Sequence, residues 1–236
     1  MKHYRPKAGP FSERPYFSDG EIETICLDEL RKFNLLPETP SPIRIERFIE
    51  KRFGVTPVYE TLPLGVLGFT RFSNKGVEEI VVSRALAEEE SKTAERRINT
   101  TLAHEAGHGL LHTHLFVLGS QPQQLFGQEM DPKKPKILCR DEPAKSTGKP
   151  GYHGKWWEFQ ANKTIGALLL PKTLVEKALD CELLKTRGTF ALRQLKREDR
   201  GRAIELVSTT FNVNGAVARI RLEELFPEGD GIQLSL

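Results

Sequence analysis

TLAHEAGHGLLHTH, residues 101–114, places four of the chain's six histidines on one apolar segment. His104, Glu105 and His108 within it spell H-E-x-x-H. On an α-helix, residues four apart sit about 40° from each other and roughly 6 Å along the axis. Both imidazoles therefore project from one face and can share a single metal ion. Glu105 lies about 100° round from His104, near enough to reach a water beside that ion without binding the ion itself. Two neutral nitrogen ligands and a proton-accepting carboxylate are what zinc-dependent hydrolysis requires. Leu102, Ala103, Ala106, Leu110 and Leu111 supply dry walls around the three. Gly107 and Gly109 lower helix propensity, so something other than propensity favours them there.

A catalytic zinc takes a third protein ligand and keeps one position open. Three residues compete for that role. His112 continues the i, i+4 ladder, but on a straight helix its Cα lies about 12 Å from that of His104. It reads as a packed residue, or one that supports a ligand. His114 falls six residues after His108, the separation found in H-E-x-x-H-x-x-G-x-x-H sites. The glycine of that pattern is Leu111 here, and leucine resists the left-handed turn the pattern needs. Met1 and Met130 are the only methionines, so support for an accompanying Met-turn is thin. Glu158, in WWEFQANKTIGALLL (156–170), shares a helix face with Ala161, Asn162, Ile165 and Leu169. A carboxylate on a largely buried face calls for a partner or a metal, and Asn162 one turn later is placed to support it. Glu158 is the ligand this reading selects.

Working outward, SDGEIETICLDELRKFNLLP (18–37) offers Ser18 and Asp19 as caps, with Ile22, Ile25, Cys26, Leu30 and Phe33 at helical spacing. PETPSP (37–42) is a stiff connector. IRIERFIEKRF (43–53) is a second amphipathic helix stopped by Gly54. VTPVYETLP, LGVLGFTRF and EEIVVSRAL read as short strands, the last two joined by SNKG as an antiparallel hairpin. GVLGFTRF (65–72) is either an exposed sheet edge to which a peptide substrate could add or a core strand. The chain turns helical from about Glu88 through Leu115. Residues 119–155 then lack periodicity and hold five prolines; a loop of that length is commonly functional or disordered. Within it, Cys139 is either an inhibitory thiolate for the metal or a free surface thiol. Tyr152 and His153, just before the glutamate helix, are candidates to stabilise an oxyanion. Residues 172–226 read as helical and charged.

At 236 residues the chain can build one substantial core. No apolar run is long enough to span a bilayer. Its three cysteines, odd in number and far apart, form no disulfide framework. The first twenty residues lack the apolar region of a secretory signal, so the expected compartment is the cytoplasm. A net charge of +3 selects no particular partner. Basic residues outnumber acidic ones from Lys185 to Arg202, either as a solvated helix face or toward an acidic or nucleic-acid partner.

Together, LAHEAGHGLLH and WEFQANKTIGALLLP resemble the H-E-x-G-H helix and the later E-x-x-A-N-x-x-A-x-x-L-L-x-P helix of the ImmA/IrrE family of zinc metallopeptidases. The resemblance extends weakly to residues 18–226, including VSTTFNVNGAVARIRLEEL, which is similar to the helix-turn-helix-like pair that often closes those proteins. It implies an α+β, zincin-like (minigluzincin) core at 18–171, with a small antiparallel sheet, an active-site helix and a glutamate helix. A flexible arm at 1–17 precedes this core and a helical, helix-turn-helix-like region at 172–236 follows it. It implies Zn2+ held by His104, His108 and Glu158, with Glu105 as catalytic base. The implied substrate is a DNA-binding, helix-turn-helix-type repressor in mobile-element or stress control, with no membrane partner. The long loop before Trp156 departs from the family pattern. A rival reading is a DNA- or protein-binding regulator whose zinc site serves structure or sensing. In that reading Asn214 caps a recognition helix offering Arg219 and Arg221, although Val217, Ile220 and Leu222 read as packing.

Overall fold

The computed structural model describes residues 2–4, 14–117, 136–140, 156–180, 183–187 and 192–227. Two short strands, β1 (Lys2–Tyr4) and β2 (Arg14–Tyr16), pair antiparallel at the N-terminus, where the sequence carries no periodicity. Helix α1 (Asp19–Lys32) begins at Ser18, whose hydroxyl accepts from the Glu21 amide while Glu21 returns a bond to the Ser18 backbone. This capping box satisfies amides that the first turn leaves without partners. Ile22, Cys26 and Leu30 form its buried stripe. Helix α2 (Ile45–Phe53) buries Ile45, Phe48 and Ile49 and ends at Gly54.

Strands β3 (Val58–Glu60), β4 (Val66–Ser73) and β5 (Gly76–Ser83) form a small mixed sheet, not the antiparallel one the sequence suggests. The tight turn at SNKG pins β5 against β4. The three-residue β3 docks on the other side of β5, running parallel to it. Pairing between strands that are not consecutive in the chain leaves no local trace in sequence. After helices α3 (Arg84–Glu88), α4 (Lys92–Leu111) and α5 (Thr113–Val117), a fourth strand, β6 (Lys136–Arg140), pairs antiparallel with β4. GVLGFTRF is thus an interior strand and not an edge, and the segment after Gly119 is not wholly irregular. Cys139 stands opposite Gly68 in this register.

Helix α4 runs between the sheet and helix α6 (Trp156–Leu169). Two glycines set how closely the three layers approach. A Cβ at position 107 would overlap Thr164 Oγ1 on α6 and lie 3.2 Å from the Ala161 carbonyl oxygen. A Cβ at Gly68 would lie 2.7 Å from the Val81 carbonyl oxygen and 2.8 Å from Thr101 Cγ2. Close packing, not helix propensity, accounts for Gly107. Leu102, Ala103 and Ala106 join Ile80, Val82 and Leu168 in one continuous core.

Helix α7 (Lys172–Leu179) follows α6, and then the helical expectation for 172–226 fails. Strands β7 (Leu184–Arg187) and β8 (Leu192–Leu195) form a hairpin instead. The leucines at 184, 192 and 195 fit either conformation by spacing alone, so the strand pairing decides. Helices α8 (Arg200–Thr210) and α9 (Gly215–Leu225) close the described chain. Asn214 occupies the N-cap position of α9 without a side-chain capping bond. Contrary to the packing expectation, Ile220 is 46% exposed, whereas Arg221 is buried. Arg221 bonds the Glu23 carboxylate on α1 and the Leu170 carbonyl oxygen at 3.0 Å. Arg219 pairs with Glu223 on its own helix at 3.0 Å. Among the described residues, no helix is long and apolar enough to cross a membrane.

Candidate metal centre

His104, Glu105 and His108 occupy consecutive turns of α4 and are buried almost completely. Glu158 lies in the first turn of α6, which crosses α4 at the Gly107–Thr164 contact. One ligand atom from each of His104, His108 and Glu158 falls within 4.8 Å of the others, a group that could hold a metal ion. Glu158 Oε2 is 3.2 Å from His104 Nε2 and 3.7 Å from His108 Nε2, and the two Nε2 atoms are 3.0 Å apart. His114, on α5, is outside this group; Leu111 stays helical, and His112 turns the chain.

The electrostatics follow from burial and proximity. Burial works against the charged form of His104, but the Glu158 carboxylate outweighs it and raises the imidazole's pKa. For His108, burial wins over Glu158 and the pKa falls. Burial also opposes ionisation of Glu158, yet the two imidazoles overcome it and hold the carboxyl below its usual range. Glu105 is pushed up to about 8, chiefly by burial; the His104 charge and a hydrogen bond from Thr70 pull the other way.

Glu105 stands apart from the three converging groups. Its Oε2 accepts a 2.6 Å hydrogen bond from the Thr70 hydroxyl on β4. Its Oε1 is buried and has no hydrogen-bond partner among the described residues. Leaving such an oxygen bare costs about 1–3 kcal/mol, a reason to expect a donor at this position. Two imidazole nitrogens and one carboxylate oxygen form the donor set of a catalytic zinc site, and they fit that metal. Asn162 accepts a 3.0 Å hydrogen bond from His104 Nδ1, which turns Nε2 toward the group.

No family model and no curated protein matches this chain. What the two helix motifs bring together is a buried His104, His108 and Glu158 group compatible with an H-E-x-x-H-type metal site.

Two supporting residues escaped the sequence reading. Thr70 sits on a strand that pattern alone leaves as an edge or a core element. Gln160 shares a buried face with Trp156 and Thr164 at helical spacing, and an amide on such a face needs partners, which was the available signal. His112, expected to pack or to support a ligand, is fully buried with its Nδ1 3.0 Å from His108 Nδ1 and its ring edge-on to Trp156. Tyr152 and His153, the oxyanion candidates, lie outside the described residues.

Proposed function

We propose that the chain is a zinc-dependent endopeptidase. His104, His108 and Glu158 would hold the ion, and the cleaved partner would be a DNA-binding, helix-turn-helix-type repressor. The observation that carries the reading is the pairing of a three-donor metal group with a separate buried carboxylate, Glu105, whose Oε1 has no partner. When bound, zinc would supply a Lewis acid that polarises the scissile carbonyl and makes a water easier to deprotonate. Glu105, whose pKa burial raises, would ionise more readily with that positive charge nearby.

Glu105 then acts as general base, taking a proton from water at Oε1 as the water oxygen bonds to the peptide carbonyl carbon. It returns that proton to the leaving nitrogen as the C–N bond breaks. Thr70 holds the other carboxylate oxygen, so the base keeps one orientation in both steps. A site that only braced the fold or sensed metal would have no use for a carboxylate so placed. For the rival DNA-binding reading, the burial of Arg221 removes one of its two proposed base-reading side chains.

The test is to incubate the zinc-loaded full chain with repressor-like proteins of its host and read fragments by mass spectrometry. Glu105→Gln is expected to retain one zinc per chain and lose cleavage at least a thousandfold. His104→Ala and Glu158→Ala are expected to lose zinc, whereas His114→Ala keeps it. Full activity in the Glu105→Gln chain would end the proposal.

A further inference from the structure

Behind His108 lies a chain of hydrogen bonds whose direction the chemistry fixes from its far end. Gln160 Nε2 is 2.8 Å from the carbonyl oxygen of Pro15, on β2. That oxygen can only accept, so the amide nitrogen faces it and Gln160 Oε1 faces the other way. Gln160 Oε1 is 3.0 Å from His112 Nε2, and an amide oxygen can only accept, so His112 carries its proton on Nε2. His112 is fully buried with no carboxylate among its hydrogen-bond partners, which keeps the ring neutral and makes its Nδ1 an acceptor. The 3.0 Å contact between His112 Nδ1 and His108 Nδ1 therefore takes its proton from His108.

We infer that His112 and Gln160 are positioning residues that set the tautomer of His108, so that its Nε2 lone pair points at the group formed with His104 and Glu158. With Asn162 holding His104 by its Nδ1, both rings turn Nε2 to the group, the two atoms 3.0 Å apart. Such a close pair beside a carboxylate needs a proton or a metal cation between the two nitrogens. The wrong tautomer of His108 would put a proton there instead. Strand β2 thus takes part in the centre through one backbone oxygen, although Pro15 and Gln160 are far apart in sequence.

This inference rests on the zinc reading, and two measurements on the full chain separate the two. The first is the 15N spectrum of histidine-labelled, metal-free protein, which needs no zinc. His108 is expected as the Nδ1–H tautomer, and an Nε2–H tautomer would overturn the relay whatever the protein binds. The second is Zn2+ affinity by chelator competition. Relative to wild type, His112→Leu and Gln160→Met are expected to weaken binding about 10–100-fold, as loss of a ligand's supporting hydrogen bond does elsewhere. His112→Asn places an amide oxygen where Nδ1 stood and is expected to stay within about threefold of wild type. A merely space-filling role predicts the reverse order, since leucine fills the apolar volume better than asparagine. Unchanged affinity in both disrupting variants, with wild type binding one zinc, would sink the relay and leave the peptidase reading intact. No stoichiometric zinc in wild type would sink the peptidase reading.

Discussion

Thr70 and Glu105 show how much one hydroxyl decides at the scale of a residue. The hydroxyl donates to Glu105 Oε2 at 2.6 Å, and its loss would leave both oxygens of a buried carboxylate without partners among the described residues. A hydrogen bond to a charged group is worth about 1.5–3 kcal/mol. Because that bond favours the ionised form, Thr70→Val should raise the Glu105 pKa further. A base works only when deprotonated, so the acid limb of the kcat/KM profile should move to higher pH, with activity near neutrality down tenfold or more. Thr70→Ser keeps the donor and should leave the limb where it is. Coincident profiles for Val and wild type would show that Thr70 does not orient the base.

Helix α4 is held at the scale of an element by contacts that its own residues do not favour locally. Replacing Gly107 with Ala gains about 1 kcal/mol of helix propensity. The added methyl meets Thr164 Oγ1 and the Ala161 carbonyl, and overpacking of that kind costs about 1–3 kcal/mol. Gly107→Ala should therefore lower the melting temperature of the metal-free protein, and adding Thr164→Ala should recover part of the loss. A single variant more stable than wild type would mean that the two helices can separate without cost. The same contact explains what could be read in advance. The 3.6-residue period located α1, α2, α4 and α6, and a shared face singled out Glu158 as the residue to join His104 and His108. Glycines inside a helical pattern signalled close packing but not the partner. Thr70 carries no such period, and Gln160, which shares one with Trp156 and Thr164, gives no sign of its partners, because both roles come from what lies across the fold.

The whole molecule depends on pairings distant in sequence, and these are the parts that sequence left dark. The parallel β3–β5 pair and the strand at Lys136–Arg140 rest on partners far along the chain, whereas the β7–β8 hairpin is local and is missed because its leucines suit either conformation. Arg221 likewise ties α9 to α1 and to the end of α6 through Glu23 and Leu170, where a linear reading saw a free basic side chain. Strand β6 has a further consequence for anyone shortening the protein. Replacing residues 118–155 with a brief linker, the obvious economy for crystal growth, would strip β4 of its outer neighbour and leave a row of unsatisfied amides and carbonyls along an eight-residue ribbon. Such a ribbon invites the same ribbon of another molecule. The pruned protein should elute from a sizing column as larger, concentration-dependent species than the intact chain, and an unchanged elution volume would mean that another segment shields that flank.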